Sequence, residues 1–163
     1  MIAQDILLKI RNKETILPLI SIWNQEHKKI VFTNGCFDLI HRGHVDYLAK
    51  ARDMGDKLIV ALNTDKSVSD IKGPNRPLQD EQSRLQIMAS FQFVDAVLLF
   101  DEPTPFNTIQ LIQPDILVKG ADYIPENIVG YDIVMAKGGE VKTIEFLPGY
   151  STSLIEQKIK SQQ

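Results

Sequence analysis

Residues 33–44, Thr33-Asn34-Gly35-Cys36-Phe37-Asp38-Leu39-Ile40-His41-Arg42-Gly43-His44, constrain the fold of this chain more than any other stretch. Just before them, Lys29-Ile30-Val31-Phe32 has the apolar pattern of a short buried strand. Just after them, Val45, Leu48, Ala49 and Arg52 recur at helical spacing, which predicts a helix starting near Gly43 or His44. The segment is therefore a strand-to-helix turn in an α/β unit. Doubly wound folds place ligands there, at the carboxyl end of a strand and the amino end of the next helix. That helix end offers unpaired N–H groups and a partial positive charge, so the expected ligand is an anion.

His41 and His44 stand three positions apart at this terminus and can face the same way, and Gly43 between them lets backbone or ligand approach closely. A phosphate bound there would favour imidazolium, whereas the bare helix end favours neutral imidazole. The alternatives are ordinary turn histidines or zinc ligands. Zinc needs three or four protein donors. With His27 the only other histidine and Cys36 the only cysteine, zinc is disfavoured.

The 163 residues suit one domain with a sizeable core. A net charge of −3 leaves no basic footprint for nucleic acid. The single cysteine excludes an internal disulfide and fits a reducing, cytoplasmic setting. No apolar run approaches a membrane span. Asp5, Lys9 and Arg11 interrupt the first apolar stretch and argue against a signal peptide.

Residues 1–28 read as a helical extension, with Thr15 a candidate cap, Pro18 in the first turn, and Ile16, Leu19, Ile20 and Trp23 on one apolar face. It is expected to pack on the sheet or on a partner subunit. Residues 29–163 form the principal domain. A helix over 44–54 ends at Gly55, a natural C-cap. Residues 57–62 form a second buried strand, leading into Asn63-Thr64-Asp65 and a helix over 65–71. Those polar groups either cap the helix or touch a substrate. The proline- and glycine-rich segment 72–79 is a connector or a mobile cover. Asp80 caps a helix through Phe91 that carries Arg84, and a surface arginine on a helix is usually solvated.

Strands at 96–100, 115–118 and 140–145 alternate with helices ending near 113 and spanning about 130–137. Lys119-Gly120-Ala121-Asp122-Tyr123 is a second glycine turn at a strand's carboxyl end, and it adds a cation. Pro148-Gly149-Tyr150-Ser151-Thr152-Ser153 then precedes a last helix; its hydroxyls suit either capping or phosphate contact. The alternation predicts a three-layer α/β domain with a mainly parallel five-stranded sheet.

Thr33-Asn34-Gly35-Cys36-Phe37-Asp38 followed by His41-Arg42-Gly43-His44 resembles the nucleotidyltransferases with the His-x-Gly-His signature, the cytidylyltransferase-like superfamily of Rossmann-type enzymes. The resemblance runs from Lys29 to Ile159 and implies a first strand at the centre of the sheet. Together with residues 61–65, 117–123 and 148–152, the motif most resembles the branch of adenylyltransferases acting on D-glycero-β-D-manno-heptose 1-phosphate, in a stand-alone form without the sugar kinase often fused to it. Members of that branch often carry glycine where this chain has Ala121, a change of one methyl.

The resemblance implies ATP and a sugar 1-phosphate as substrates, with ADP-heptose and pyrophosphate as products, for lipopolysaccharide core biosynthesis. It assigns catalytic roles to His41, His44 and Lys119. Nucleotide contacts fall at Thr33, Asn34, Gly35, Cys36, Phe37, Gly43, Arg84, Gly120, Tyr150, Ser151 and Thr152 as well. Arg84, Ser151 and Thr152 would grip the outer phosphates. Asp38, Asn63, Asp65 and Asp122, with Lys119, fall on the sugar-phosphate side. Magnesium would be held mainly by the phosphates, Cys36 need not be a nucleophile, and the family tends to form homodimers or higher oligomers. The alternatives are a cytidylyltransferase for glycerol or ethanolamine phosphate, an FAD synthetase, or a non-catalytic nucleotide-binding module.

Overall fold

Five strands, β1 (Ile30–Gly35), β2 (Lys57–Asn63), β3 (Ala96–Phe100), β4 (Ile116–Gly120) and β5 (Glu140–Ile144), pair in the order β3-β2-β1-β4-β5. Every pairing is parallel, so the sheet is wholly rather than mainly parallel, and β1 is central as expected. This computed structural model describes residues 1–162; Gln163, the last residue of the expected principal domain, lies outside them.

Both faces of the strands are apolar because helices cover both. Val31, Leu58, Val60, Val97 and Val118 pack with Leu48 and Ala51 of α3 (Arg42–Arg52) and Leu85 and Met88 of α5 (Glu81–Ser90). On the other face, Ile30, Phe32, Ile59, Ala61 and Leu117 meet helices α2 (Lys13–Gln25), α6 (Phe106–Ile112) and α7 (Tyr131–Ala136). The remaining helices are α1 (Ile2–Leu7), α4 (Asp65–Lys72) and α8 (Thr152–Lys160).

The amino-terminal region is not one helical run. Between α1 and α2 the chain lies along the open edge of β3, where Val97 donates to the Lys9 carbonyl and accepts from the Arg11 N–H, each at 2.8 Å. This short bridge covers an otherwise exposed sheet edge. The cap of α2 is Asn12 rather than Thr15. Asn12 Oδ1 accepts the Thr15 N–H at 2.8 Å, and Thr15 Oγ1 accepts the Asn12 N–H at 2.9 Å. The pair forms a capping box, with threonine in the return role. The earlier start moves Pro18 inside the helix, where its missing N–H forgoes one intrahelical bond. Ile16 is fully buried, and Ile20 and Trp23 nearly so.

Gly55 also serves differently from its expected role. Helix α3 is capped at Asp53 in an ordinary helical conformation. A Cβ at Gly55 would lie 2.7 Å from Val31 Cγ2 and 2.8 Å from the Lys29 carbonyl oxygen, so close packing is what requires glycine.

The ladder between β1 and β4 is short. It joins Val31 to Ile116 and Phe32 to Leu117 and then stops, while β1 continues on β2 as far as Gly35. Beyond Phe32 and Leu117 the two strands part. The Tyr47 hydroxyl, from α3, spans the gap: it lies 2.8 Å from Thr33 Oγ1 on β1 and donates to the Val118 carbonyl on β4 at 3.2 Å.

Truncating Ile16 tests how far α2 belongs to this core. Ile16→Ala is expected to cost about 2–5 kcal/mol, measured by urea denaturation with a single transition for the whole chain. An unchanged midpoint would mean that residues 1–28 fold apart from the sheet.

Candidate active site

The parting of β1 and β4 is the topological switch point of the sheet, since the chain order reverses direction there. A groove runs from it along the carboxyl edge in three connected compartments. One, of about 360 Å³, lies toward α4 and the loop after β3 and includes Asn63, Lys72, Pro103, Tyr123 and Val129. The next, of about 320 Å³, lies between the strand ends and includes Asn34, Phe37, His44, Lys119, Asp122 and Phe146. The third, also about 320 Å³, lies between the start of α3 and that of α8, among His41, Gly43, His44, Phe146, Tyr150 and Thr152. A larger cavity of about 570 Å³ opens at the opposite, amino edge, where Lys29 pairs with Glu140 and Lys137 with Asp115. Four of its five lysine and carboxylate charges pair off in these two bridges, and none of the candidate residues lines it.

His41 is the extended N-cap residue of α3, and its ring stacks on His44 with centroids 3.8 Å apart and planes at 23°. The reason for Gly43 follows directly. A Cβ there would lie 3.0 Å from His41 Nδ1 and 3.3 Å from Tyr150 Cβ, wedging the histidine away from the loop that precedes α8. Phe37 holds the other side of the pair, its ring edge-on to His44 at 5.2 Å. It does so in a left-handed backbone conformation, φ 47°, that a bulky residue rarely adopts.

The Nδ1 atoms of both histidines are buried with no hydrogen-bond partner in the protein. Burial lowers the pKa of His41. For His44, burial is the chief cause and the nearby His41 and Lys72 charges add to it, bringing the pKa down to about 4. In the free protein these are two stacked neutral imidazoles, ready to donate N–H groups or to gain a proton beside an anion.

Lys119, at the end of β4, reaches across the parted strands and donates to Asn34 Oδ1 at the end of β1. Burial brings its pKa down to about 8, against the opposing influence of Asp122 and of Cys36. Its ammonium also lies 6.0 Å from the Tyr123 ring centroid. Gly120 follows because Phe146 and Asp122 occupy the space where its Cβ would be. Across the groove, Asn63 donates to Ser67 Oγ at 3.0 Å and lies 3.7 Å from the Cys36 sulfur. Burial pushes the Cys36 thiol pKa up, consistent with a small packed residue rather than a nucleophile.

Several expected contacts have other neighbours. Arg84, which the family resemblance puts on the triphosphate, is 1% exposed. Its guanidinium donates to the Cys36 carbonyl at 2.8 Å, the Gln79 carbonyl at 3.1 Å and Asp65 Oδ1 at 2.8 Å. Arg84 thus braces the β1 turn from behind and pairs with Asp65, and neither side chain lines the groove. Thr33 is fully buried and bound to Tyr47.

Asp38 is buried as well and accepts from the Leu78 and Gln79 N–H groups at 2.9 Å and from Arg76 Nη1 at 3.0 Å. Burial works against its charge, but these donors outweigh it and hold the carboxyl below its ordinary range. Ser151 caps α8 by accepting the Leu154 N–H at 3.2 Å; it lines the third compartment with Tyr150 and Thr152, and of these three Thr152 also borders the second. Tyr150 is bound to Arg42, which donates to its hydroxyl at 2.9 Å.

Two groove residues, Lys72 and Phe146, carry no distinct sequence signal, and neither does Arg76, which stands behind the groove on Asp38. Lys72 looks like the solvated last turn of a helix, Arg76 like part of a polar loop, and Phe146 like the end of a strand. Only the chain's folding-over brings them to the carboxyl edge.

The buried His44 carries a pH signature. Unfolded, it titrates near its ordinary 6.5; folded, near 4. Between those values the unfolded chain binds more protons, so stability falls as pH drops from 6.5 toward 4. In urea denaturation at pH 7 and pH 5, His44→Gln is expected to lose less stability on acidification than the unsubstituted protein. Equal losses would mean that His44 is not held neutral.

Residues 32–158 match the cytidylyltransferase-like family. The bifunctional protein HldE of Azorhizobium caulinodans is 49% identical over 150 residues, covering 92% of this chain and 31% of that protein. The bifunctional protein HldE of Citrifermentans bemidjiense is 51% identical over 159 residues, covering 98% and 33%. The chain thus spans about a third of the length of these relatives. Among solved structures, the lipopolysaccharide core biosynthesis protein of Thermoplasma volcanium superposes with a TM-score of 0.60 at 30% identity, over 74% of this chain and 97% of that one. The strand order, the histidine turn and these similarities agree: the chain belongs to the cytidylyltransferase-like family.

Proposed function

We propose that this chain transfers AMP from ATP to D-glycero-β-D-manno-heptose 1-phosphate, releasing pyrophosphate and forming ADP-heptose for lipopolysaccharide core biosynthesis. The observation that carries the reading is the meeting of His41, His44 and Lys119 at the switch point, three nitrogen donors on one groove. Similarity to the HldE proteins across almost the whole chain, and to a lipopolysaccharide core biosynthesis protein, supports the substrate class.

In this reading a phosphate oxygen of the sugar phosphate attacks the α-phosphorus of ATP. One P–O bond forms, the bond between the α-phosphorus and the bridging oxygen breaks, and pyrophosphate leaves with the electron pair. Such chemistry asks the protein mainly for alignment and for donors placed where charge develops. The third compartment, between the start of α3 and Thr152, is the place for the triphosphate. There the neutral imidazoles donate N–H groups, and a bound polyanion raises their proton affinity. Lys119 stands between that compartment and the one beside Asn63, placed to neutralise the sugar's phosphate, with Asn34 and Asp122 beside it.

Asn63, Tyr123 and Lys72 line the acceptor end. Arg84 and Asp38 support this constellation through the backbone they hold, Asp65 through Arg84, and Thr33 through Tyr47. Among the described residues, no three His, Cys, Asp or Glu side chains are grouped to hold a metal. Magnesium, which neutralises phosphate charge when bound, would take its oxygens chiefly from the phosphates. No helix is long and apolar enough to cross a membrane among the described residues.

A pyrophosphate-release assay over a matrix of nucleotides and phosphate esters tests the reading. Turnover is expected with ATP and heptose 1-phosphate, and roughly 10⁴-fold less with CTP and glycerol phosphate, because a site built around sugar hydroxyls leaves its groups unpaired beside a smaller ester. Equal or better turnover with CTP would move the chain to a cytidylyltransferase role, and tight ATP binding without turnover would make it a binding module.

Two substitutions divide the work of the groove. His44→Ala is expected to lower kcat by about 10²–10³, the effect of losing one transition-state donor. Thr152→Ala is expected to raise KM for ATP with kcat little changed, as loss of a ground-state contact does. A lowered melting temperature with unaltered kinetics in Thr152→Ala would reduce that residue to a helix-start role.

A further inference from the structure

Helix α8 brings Thr152 to the groove, yet it is weakly anchored. None of its residues is buried, and Leu154 and Ile159 stand about half exposed. It follows Gly149, whose φ of +82° and open surroundings make a natural pivot. Among the described residues, one side-chain hydrogen bond ties α8 to another part of the fold: Arg76 donates from Nη2 to Glu156. The same guanidinium donates from Nη1 to Asp38 at 3.0 Å. Asp38 is in turn fixed by the Leu78 and Gln79 N–H groups and sits one residue after Phe37, whose ring packs on His44. A planar fork that engages two carboxylates at once sets direction as well as distance.

We infer that Arg76 is a positioning residue, a latch that seats α8 against the turn after β1 and so sets the distance between the Thr152 end of the groove and the histidine pair. The inference rests on the proposed function only in assigning the nucleotide's phosphates to that end. Glu156 and Arg76 do not line the groove, so their influence on the nucleotide runs through the placement of α8. Glu156 is the informative site. Neutralising it releases α8 while Asp38 keeps Arg76 and both backbone donors.

The test compares Glu156→Gln, Arg76→Ala and the double variant with the unsubstituted chain. Amide hydrogen exchange is followed in the nucleotide-free protein, and KM and kcat are measured with ATP. In Glu156→Gln, exchange over residues 152–160 is expected to quicken about fivefold while the strands are unchanged, the scale of one partly exposed charge pair. KM for ATP is expected to rise by a similar, roughly fivefold factor with kcat within about twofold. Adding Glu156→Gln to Arg76→Ala is expected to change nothing further, since the two act through one bond.

Unchanged exchange in α8 overturns the latch whatever the activity. Faster exchange with an unaltered KM overturns its coupling to the nucleotide, and so does an additive double variant. The exchange measurement needs no turnover. An unsubstituted protein inactive with every substrate pair therefore strikes the functional proposal alone.

Discussion

The site depends on the separation of two neighbouring parallel strands. β1 and β4 share a ladder for two residue pairs and then diverge, because the chain leaves them in opposite directions across the sheet. Unpaired backbone groups at the opening need partners, since an unsatisfied buried polar atom costs on the order of 1–3 kcal/mol. Tyr47 supplies one, joining Thr33 to the Val118 carbonyl. Lys119 and Asn34 supply another bond nearer the mouth. The helix that carries Tyr47 also carries His44, so the group that closes the floor of the crevice positions the imidazole at its entrance.

Around this crevice the charged residues divide by depth. The deeper ones, Arg84 and Asp38, hold backbone: Arg84 donates to the Cys36 and Gln79 carbonyls, and Asp38 accepts from the Leu78 and Gln79 amides. This arrangement fits the physics of burial, because a charge withdrawn from water must be met by several donors or acceptors of fixed geometry. The groups nearer the surface, His41, His44, Lys119 and Lys72, have fewer protein partners and line the groove. Lys119 combines both conditions. It is buried enough for its pKa to fall to about 8 and yet borders the space where a phosphate would lie.

Much of the architecture was legible in the chain. The apolar strands, the hydroxyl and carboxylate caps, and the glycine turns all act within a few residues, and local chemistry decides them. Thr64 and Asp80 cap α4 and α5 through N–H groups three residues on. Gly43 was legible as a close-approach position and Gly120 as a turn, although Tyr150 and Phe146, which crowd them, come from far along the chain. The departures are as informative. Asn12 displaces Thr15 as a cap because the two complete each other's hydrogen bonds. The first segment breaks after α1 because the edge of β3 offers it hydrogen bonds that a continuous helix would forgo.

By itself the sequence determined the α/β alternation, the turn that carries the two histidines, and the nearness of Lys119 and Thr152 to strand or helix ends, since periodicity and capping are local properties. Only the tertiary structure decided which polar residues face the groove. Arginine in the first turns of a helix reads the same whether it meets water, phosphate or a buried carbonyl. The choice for Arg84 was made by the Cys36 carbonyl, 48 positions away, and by Asp65. Arg76 likewise gained its place from Asp38 and Glu156, partners brought together by packing rather than by spacing. Burial and long-range pairing are properties of the folded surface, so a residue's type announces its chemistry while the fold selects its partner.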